Sequence, residues 1–286
     1  MRKKASAVAR TPWFWALVAA AAVAGLLRFV ALGYGLPHTY NADEPHLVNM
    51  AVSFGSGSLR PHSFKYPTLW PMLLSGLYGL WFAFWSMFGL RTGPLDFAAL
   101  YGFEATGFYF IARFVAALSS FAALVFVAGT ERGGQNESRW PYGALILACS
   151  PVLVDLAHMA KPDSFMLLLV AGAWFCAARF QAAGARGWLY AAAAFTGAAC
   201  STQYTAAPAA LLVPLAWLLR DGGRPPLVWL AQSGLFAAGA FLAGSPFIAI
   251  DFPRFVADWN DYADLGRLRP HDAAAMAKGV AYNLWT

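Results

Sequence analysis

Two adjacent carboxylates follow the first apolar segment of the chain, and a lysine follows them about twenty positions later. Asp43 and Glu44 lie in the run at positions 41–46, and Lys65 lies two positions before Pro67. Carboxylates beside a membrane are costly unless they bind something or carry protons. A lysine next to a stiff proline turn is suited to hold a phosphate. The pattern therefore indicates a site at a membrane surface that acts on an anionic, lipid-borne substrate.

Each of these groups also has a structural interpretation. Asp43 is suited to act as a general base or to bind a metal ion or an acceptor. A helix that begins here, with Asn41 as its cap and Pro45 in its first turn, would also favour acids at positions 43 and 44. Both interpretations can hold together, because a helix start fixes the direction of its carboxylates. Lys65 precedes an aromatic stretch suited to the headgroup level, so it either pairs with a lipid phosphate or extends toward water.

Two further polar groups interrupt apolar sequence. Lys161 and Asp163 stand between two apolar stretches, where Asp163 either caps the following helix or adds a second carboxylate to the site. Gln203 and Tyr204 lie in the polar run at positions 201–205. Such a break in an apolar region must be buried in protein or line a cavity, which favours a binding role.

The arginine and the histidines near these groups leave two questions open. Arg113 would either bind an anion or satisfy carbonyls at a helix end. His46 joins the candidate substrate-binding residues, but no HExxH pattern is present, so a divalent metal ion is a minor alternative and no metal ligand is assigned. The sequence has no Walker loop, GxSxG or GxGxxG motif, and therefore gives no support to nucleotide-loop or serine-hydrolase chemistry.

The composition is that of a polytopic membrane protein. Hydrophobic residues make up 59% of the chain and charged residues 12%, whereas soluble domains carry about 25% charged residues. The net charge of +6 is spread over the chain, which fits retention of basic loops at a membrane and not nucleic-acid binding. The stretches suited to helices are 13–32, 66–88, 107–129, 141–157, 164–180, 188–200, 206–219 and 227–250.

Charge placement predicts which stretches cross the membrane. The basic N-terminus and the short loops with Arg132, Arg179 and Arg220 fit the cytoplasmic side. An even number of crossings must then separate the N-terminus from Arg132. The 66–88 stretch therefore either lies along the interface or re-enters, or a further crossing lies within 96–113. The segments expected on the outer face are 33–106, 157–163, 201–204 and the chain after 244.

Six short motifs occur in order at 41–46, 64–69, 112–114, 161–163, 201–205 and 245–247. Together they resemble bacterial glycosyltransferases of the GT-C fold, in particular glycosyltransferase family 39, akin to protein O-mannosyltransferases and aminoarabinose transferases. The resemblance covers most of residues 10–262. It implies an all-α, polytopic GT-C-like bundle in the bacterial inner membrane, with juxtamembrane helices on the outer face. It also implies an inverting transfer from a polyprenyl-phosphate-linked sugar donor, itself a membrane lipid, to a protein, lipid or glycan hydroxyl.

The resemblance assigns roles to individual residues. Asp43 matches the base, Glu44 its acidic neighbour and Asp163 a second acidic site. Lys65 matches the cation near the donor phosphate, and relatives often carry lysine where this chain has Gln203. The candidate substrate-binding residues are Lys65, Tyr66, Arg113, Lys161, His46, Gln203 and Tyr204.

The expected organisation is a cytoplasmic N-terminus at 1–12, a catalytic module at 13–250 with a first outer loop at about 33–106, and an outer-face segment at 251–286. Because relatives are longer, we expect a C-terminally truncated chain: a fragment, a truncated gene or a short enzyme that needs a partner. Two other functions compete with glycosyl transfer. A transporter or flippase of lipid-linked substrates would show inverted repeats, which we do not find, and a non-catalytic assembly subunit would suit a truncated chain.

The charge pattern predicts a topology that can be measured. Single cysteines in the 131–140 and 220–226 loops, in a background without the three native cysteines, should resist an impermeant thiol reagent on intact cells. Cysteines at 44–64 and 158–163 should react. Labelling of the 131–140 loop from outside would contradict this topology.

Overall fold

Helices are the regular secondary structure of the part that the computed structural model describes, residues 12–39, 41–90, 93–132, 141–220 and 225–267. No strand occurs in these ranges. Two 3₁₀ segments, Phe54–Ser56 and Tyr204–Leu211, accompany the α-helices. In chain order the α-helices are α1 (Pro12–Phe29), α2 (Asp43–Ser53), α3 (Leu69–Met87), α4 (Pro94–Phe103), α5 (Thr106–Arg132), α6 (Tyr142–Cys149), α7 (Pro151–Ala157), α8 (Asp163–Ala183), α9 (Arg186–Thr202), α10 (Leu212–Leu218), α11 (Leu227–Gly244), α12 (Phe247–Ile250) and α13 (Phe252–Arg267).

Four of the described helices, α1, α5, α8 and α11, are long and apolar enough to cross a membrane. This confirms the predicted all-α membrane bundle. The remaining apolar stretches are interrupted where the sequence demands it. Ser150 is extended because the residue before a proline is driven out of the helical region, and this separates α6 from α7. Gln203 is also extended and separates α9 from the 3₁₀ segment, at the predicted polar break.

α3 lies across one end of the bundle, which we call the site end. The site end consists of the first turns of α5 and α8 and the last turns of α9 and α11. At the start of α3, Trp70 packs on Phe165 of α8, with ring centroids 5.9 Å apart. Beyond its midpoint, Trp81 packs on Phe108 of α5 at 5.1 Å. Because both contacts are to the same end of the bundle, α3 runs along that end. α4, with 10 residues, is too short to supply a crossing of about 20 residues.

A buried hydrogen-bond network connects the start of α3 to the ends of α9 and α11. The Thr68 hydroxyl donates to the Gly244 carbonyl (2.9 Å), and the Thr68 N–H donates to the Ser245 hydroxyl (3.0 Å). The hydroxyls of Ser245 and Ser201 lie 2.8 Å apart. All these side chains are buried, and a buried polar group is costly unless it is paired. This hydrogen-bond network therefore fixes where α3 crosses the site end.

Arg28, the charged residue within the first apolar segment, is fully buried and serves the α6–α7 break. Its guanidinium donates to the carbonyls of Leu147 (2.7 Å) and Ala148 (2.9 Å) and to the Ser120 hydroxyl (2.8 Å). The last carbonyls of a helix have no partner within the helix. Arg28 supplies that partner where the break would otherwise leave the α6 carbonyls unpaired.

α9 and α11 pack closely enough to exclude a methyl group at Gly197. A Cβ at this position would lie 2.0 Å from the Ala237 carbonyl oxygen on α11. We expect Gly197→Ala to lower the free energy of unfolding by about 1–3 kcal/mol, because overpacking against backbone cannot relax easily. Thermal unfolding in detergent measures it.

Gly234→Ala on α11 is the matched control. A Cβ there meets nothing within 4 Å, and alanine is favoured over glycine inside a helix by about 0.5–1 kcal/mol. If Gly197→Ala proved as stable as Gly234→Ala, the close approach of α9 and α11 would be refuted.

Candidate functional site

Adjacent acids at the start of α2 have separate environments. The N-cap of α2 is Ala42 and not the predicted Asn41, although the Asn41 side-chain oxygen accepts from the Asp43 N–H at 3.0 Å. The Glu44 side chain enters the core and is 2% exposed, whereas the Asp43 side chain is 35% exposed. The Glu44 carboxylate meets Arg113 of α5 in two parallel contacts, Nε–Oε1 at 3.0 Å and Nη2–Oε2 at 3.1 Å. Such a bidentate pair is strong and directional.

This buried pair also holds two loops. The other terminal nitrogen of Arg113 donates to the carbonyls of Leu32 (3.2 Å) and Tyr34 (2.8 Å) in the loop after α1. The Ala160 N–H, in the turn before α8, donates to Glu44 Oε1 at 2.6 Å. The Glu44–Arg113 pair therefore connects α2, α5 and the two loops that end near the site.

The same turn brings a lysine between two carboxylates. The Lys161 ammonium lies 3.5 Å from Asp43 Oδ2 and 3.9 Å from Asp163 Oδ2. The Asp163 atom is buried and accepts no hydrogen bond from the described residues. Asp43, more than a hundred positions before the other two residues, thus joins Lys161 and Asp163 in a cluster in which one cation lies between two anions and Asp43 stays partly exposed.

His46 links this cluster to Lys65. It lies one turn after Asp43 on α2, and its ring centroid is 5.8 Å from that of Tyr66. Burial lowers the pKa of His46 below its usual value, the Lys65 charge lowers it further, and the Asp43 charge opposes both. Its buried Nε2 has no hydrogen-bond partner among the described residues. Asp43 thus lies near His46 along α2, and Lys65 lies near it across the Tyr66 ring.

Lys65 stands at the edge of a cleft of about 340 Å³. The Lys65 ammonium is exposed and lies 5.6 Å from the centre of the Tyr66 ring. No carboxylate of the described residues lies within ion-pair distance of it. The buried Gln203 Oε1 likewise has no partner in the described part of the chain. Residues that line the cleft include Lys65, Tyr66, Gln203, Tyr204, Asp258 and Trp259.

The structure thus sorts the predicted site residues into three groups. Asp43, Lys161 and Asp163 form the charged cluster, with His46 beside it. Glu44 and Arg113 face each other in the core, away from the cleft. The cleft contains the predicted Lys65, Tyr66, Gln203 and Tyr204.

Two cleft residues, Asp258 and Trp259, were not among the predicted site residues. They come from α13, in the 251–286 segment for which the sequence predicts only a position on the outer face. The amphipathic pattern was the available signal, since such a helix must cover something.

The described residues include no group of three or more His, Cys, Asp or Glu side chains suited to a metal ion. The position between the carboxylates of Asp43 and Asp163 holds the ammonium of Lys161.

Breaking the buried Glu44–Arg113 pair should destabilise the folded protein. We expect Glu44→Gln to lower the free energy of unfolding by about 3–5 kcal/mol, because it leaves the Arg113 charge buried and uncompensated. Asp43→Asn, one position earlier, should cost at most about 1 kcal/mol because its pair with Lys161 is partly exposed. Unfolding in detergent measures both. The double variant Glu44→Gln with Arg113→Met should lose less than the sum of the single losses, and strict additivity would contradict the pairing.

The titration of His46 should report both neighbouring charges. Lys65→Ala should raise the pKa of His46, because it removes a positive charge, and Asp43→Asn should lower it, because it removes a negative one. A histidine NMR titration measures the shifts, with His46→Gln to assign the signal. No change in either variant would show that the charged cluster and the cleft are separate.

Comparison with known proteins identifies the family. Residues 97–250 match the family described as dolichyl-phosphate-mannose-protein mannosyltransferase, just over half of the chain. The match includes Arg113, Lys161, Asp163 and Gln203, whereas Asp43 and the cleft lysine precede it. Neither the curated proteins nor the solved structures include a significant match. The chain therefore belongs to the dolichyl-phosphate-mannose-protein mannosyltransferase family, whose members are membrane glycosyltransferases that use a polyprenyl-phosphate-linked sugar.

Proposed function

We propose that the chain moves a sugar from a polyprenyl phosphate to an acceptor hydroxyl at the site end of the bundle, with Asp43 as general base and Lys65 at the donor phosphate. One observation carries this proposal. A partly exposed carboxylate, Asp43, lies one turn before His46, and the ammonium of Lys65, which has no carboxylate partner among the described residues, lies against the Tyr66 ring that packs on His46.

The reaction needs a base for the acceptor. The acceptor oxygen bonds to the anomeric carbon as the bond from that carbon to the phosphate oxygen breaks. The bond's electron pair stays on the phosphate, and the acceptor proton passes to Asp43. A positioned general base contributes about 10²–10⁴-fold. Asp43 fits this role because its side chain is partly exposed. Lys161 balances its charge without enclosing it, and Asp163 positions Lys161 from the other side.

The reaction also needs a cation for the leaving phosphate. Fixed positive charge is most effective where the transition state develops negative charge. Lys65 supplies it at the edge of the cleft, where no carboxylate of the described residues competes for its ammonium. The side chain of Gln203 lies in the same cleft and is suited to orient the phosphate through its amide.

Glu44 and Arg113 take a positioning role in this proposal. Both Glu44 oxygens accept from Arg113, and one also accepts from Ala160. A carboxylate so occupied is a poor base, and a guanidinium so paired is a poor anion site. Their contribution is the placement of Asp43 and Lys161.

The orientation follows from the arginines. Arg179, Arg186 and Arg220 lie at the end of the bundle opposite the site end, where the Arg220 guanidinium stacks over the Phe180 ring. Basic loops favour the cytoplasm. The site end then faces outward in a bacterial inner membrane, in a family 39 enzyme that inverts the anomeric centre of a hexose or pentose. The acceptor is a protein, lipid or glycan.

Substitutions of Asp43 and Lys65 should change different kinetic parameters. In membranes with a polyprenyl-phosphate-linked donor, Asp43→Asn should lower kcat by about 10²–10⁴-fold and leave the dependence on donor concentration near that of the wild type. Lys65→Ala should instead weaken donor use about ten- to hundredfold, the value of a charge-assisted contact, and Lys65→Arg should retain part of it. Initial transfer rates against donor concentration separate the effects.

Asp261→Asn, an exposed position on α13 outside the cleft, is the matched control and should transfer normally. Near-normal transfer by Asp43→Asn would refute its role as base. Unchanged donor dependence in Lys65→Ala would refute the phosphate contact. A wild type that moves the lipid-linked sugar across a liposome bilayer without transferring it would be a transporter.

A further inference from the structure

The amphipathic helix α13 forms one wall of the cleft, and polar and aromatic contacts hold it there. Asp251, just before α13, forms an ion pair with Arg60. The Arg254 guanidinium donates to the carbonyl of His62. Together these contacts attach the start of α13 to the loop that precedes Lys65.

Aromatic packing and a backbone contact continue this attachment. The ring of Phe255 packs edge-on against Phe64, with centroids 5.9 Å apart, and Trp259 packs edge-on against Tyr204 at 5.5 Å. The Phe64 N–H donates to one carboxylate oxygen of Asp258 at 2.8 Å. α13 is therefore positioned over the cleft by both polar and aromatic contacts.

Two groups on α13, one carboxylate oxygen of Asp258 and part of the Trp259 ring, stay available in the cleft. The second oxygen of Asp258 accepts no hydrogen bond from a described residue. Trp259 remains 48% exposed. Both residues line the cleft, and among the described residues that line it Asp258 is the only acid. The cleft, at about 340 Å³, falls in the range of about 300–1,000 Å³ for small-molecule sites.

We propose that Asp258 and Trp259 form the glycosyl subsite of this cleft. Trp259, with Tyr204 beside it, packs against the apolar face of the sugar ring, and the free oxygen of Asp258 accepts a hydrogen bond from a sugar hydroxyl. This inference rests on the proposed function, whose donor carries both a phosphate and a sugar.

Charge sets the direction of the donor in the cleft. A carboxylate repels a phosphate but accepts strongly from a neutral hydroxyl, so the phosphate belongs on the Lys65 side and the sugar on the Asp258 side. An aromatic ring adds apolar contact area with little loss of side-chain entropy. The α13 wall lies after residue 250, outside the range that matches the family. Sugar selection in this chain is therefore carried by a segment beyond the matched region.

The test compares two ligands whose difference is the sugar alone. Binding of a short-chain polyprenyl phosphate is measured with purified full-length protein in detergent. Binding of the same lipid phosphate with mannose, glucose, galactose or arabinose attached is measured in parallel. The wild type should bind at least one sugar-bearing lipid more tightly than the bare phosphate. Asp258→Asn, which keeps an oxygen for the Phe64 N–H, should reduce that gain about ten- to hundredfold, while binding of the bare phosphate is not weakened. Trp259→Ala should reduce it as well, and Trp259→Phe should retain part.

Asp261→Asn on the same helix is the matched control and should keep the full gain. The inference is overturned if no sugar of the panel strengthens binding, or if Asp258→Asn keeps the gain. It is also overturned if the variant weakens the bare phosphate equally, which would indicate a purely structural role. Transfer is not needed for this readout, so a wild type that shows the sugar-dependent gain but never transfers would refute the proposed function and support the subsite.

Discussion

A buried ion pair between Glu44 and Arg113 is the constraint on which the site end depends. Two charges in a core are tolerated only when geometry and additional hydrogen bonds compensate their desolvation. Here the compensation is extensive, because the pair is bidentate and Leu32, Tyr34 and Ala160 supply further backbone contacts. Those contacts fix two loops relative to α2 and α5. The positions of Asp43 and Lys161 follow from that arrangement.

The two adjacent acids show how one local sequence supplies two functions. A helix start gives Asp43 and Glu44 different directions, about 100° apart around the helix axis. One carboxylate enters the core and meets a guanidinium, and the other stays at the surface beside an ammonium. Environment, and not residue type, separates the structural acid from the candidate base.

Much of this arrangement is readable from the sequence, because its signals are local. Apolar length predicts the helices, the polar run at 201–205 predicts an interruption there, and charge parity predicts that the 66–88 stretch does not cross alone. The break before Pro151, inside the predicted 141–157 stretch, was missed. The same parity predicts Asp43 and Asp163 on one face, and the structure brings both to Lys161.

Other features depend on pairs that no local pattern specifies. Glu44 and Arg113 are 69 positions apart, and the contact between Phe64 and Asp258 spans 194 positions. Without knowledge of these partners, Asp43 and Glu44 are equally good candidates for the catalytic base. The sequence likewise does not predict the hydrogen-bond network of Thr68, Ser201 and Ser245, because these polar residues lie far apart in the chain.

A structure of the protein in lipid nanodiscs with a bound polyprenyl phosphate-linked sugar tests the central claim most directly. The account predicts the phosphate beside the Lys65 ammonium in the cleft, with the Asp43 carboxylate facing the opposite side of the anomeric carbon. A phosphate bound at the arginine-bearing end of the bundle, or at the site end but away from Lys65, would contradict it.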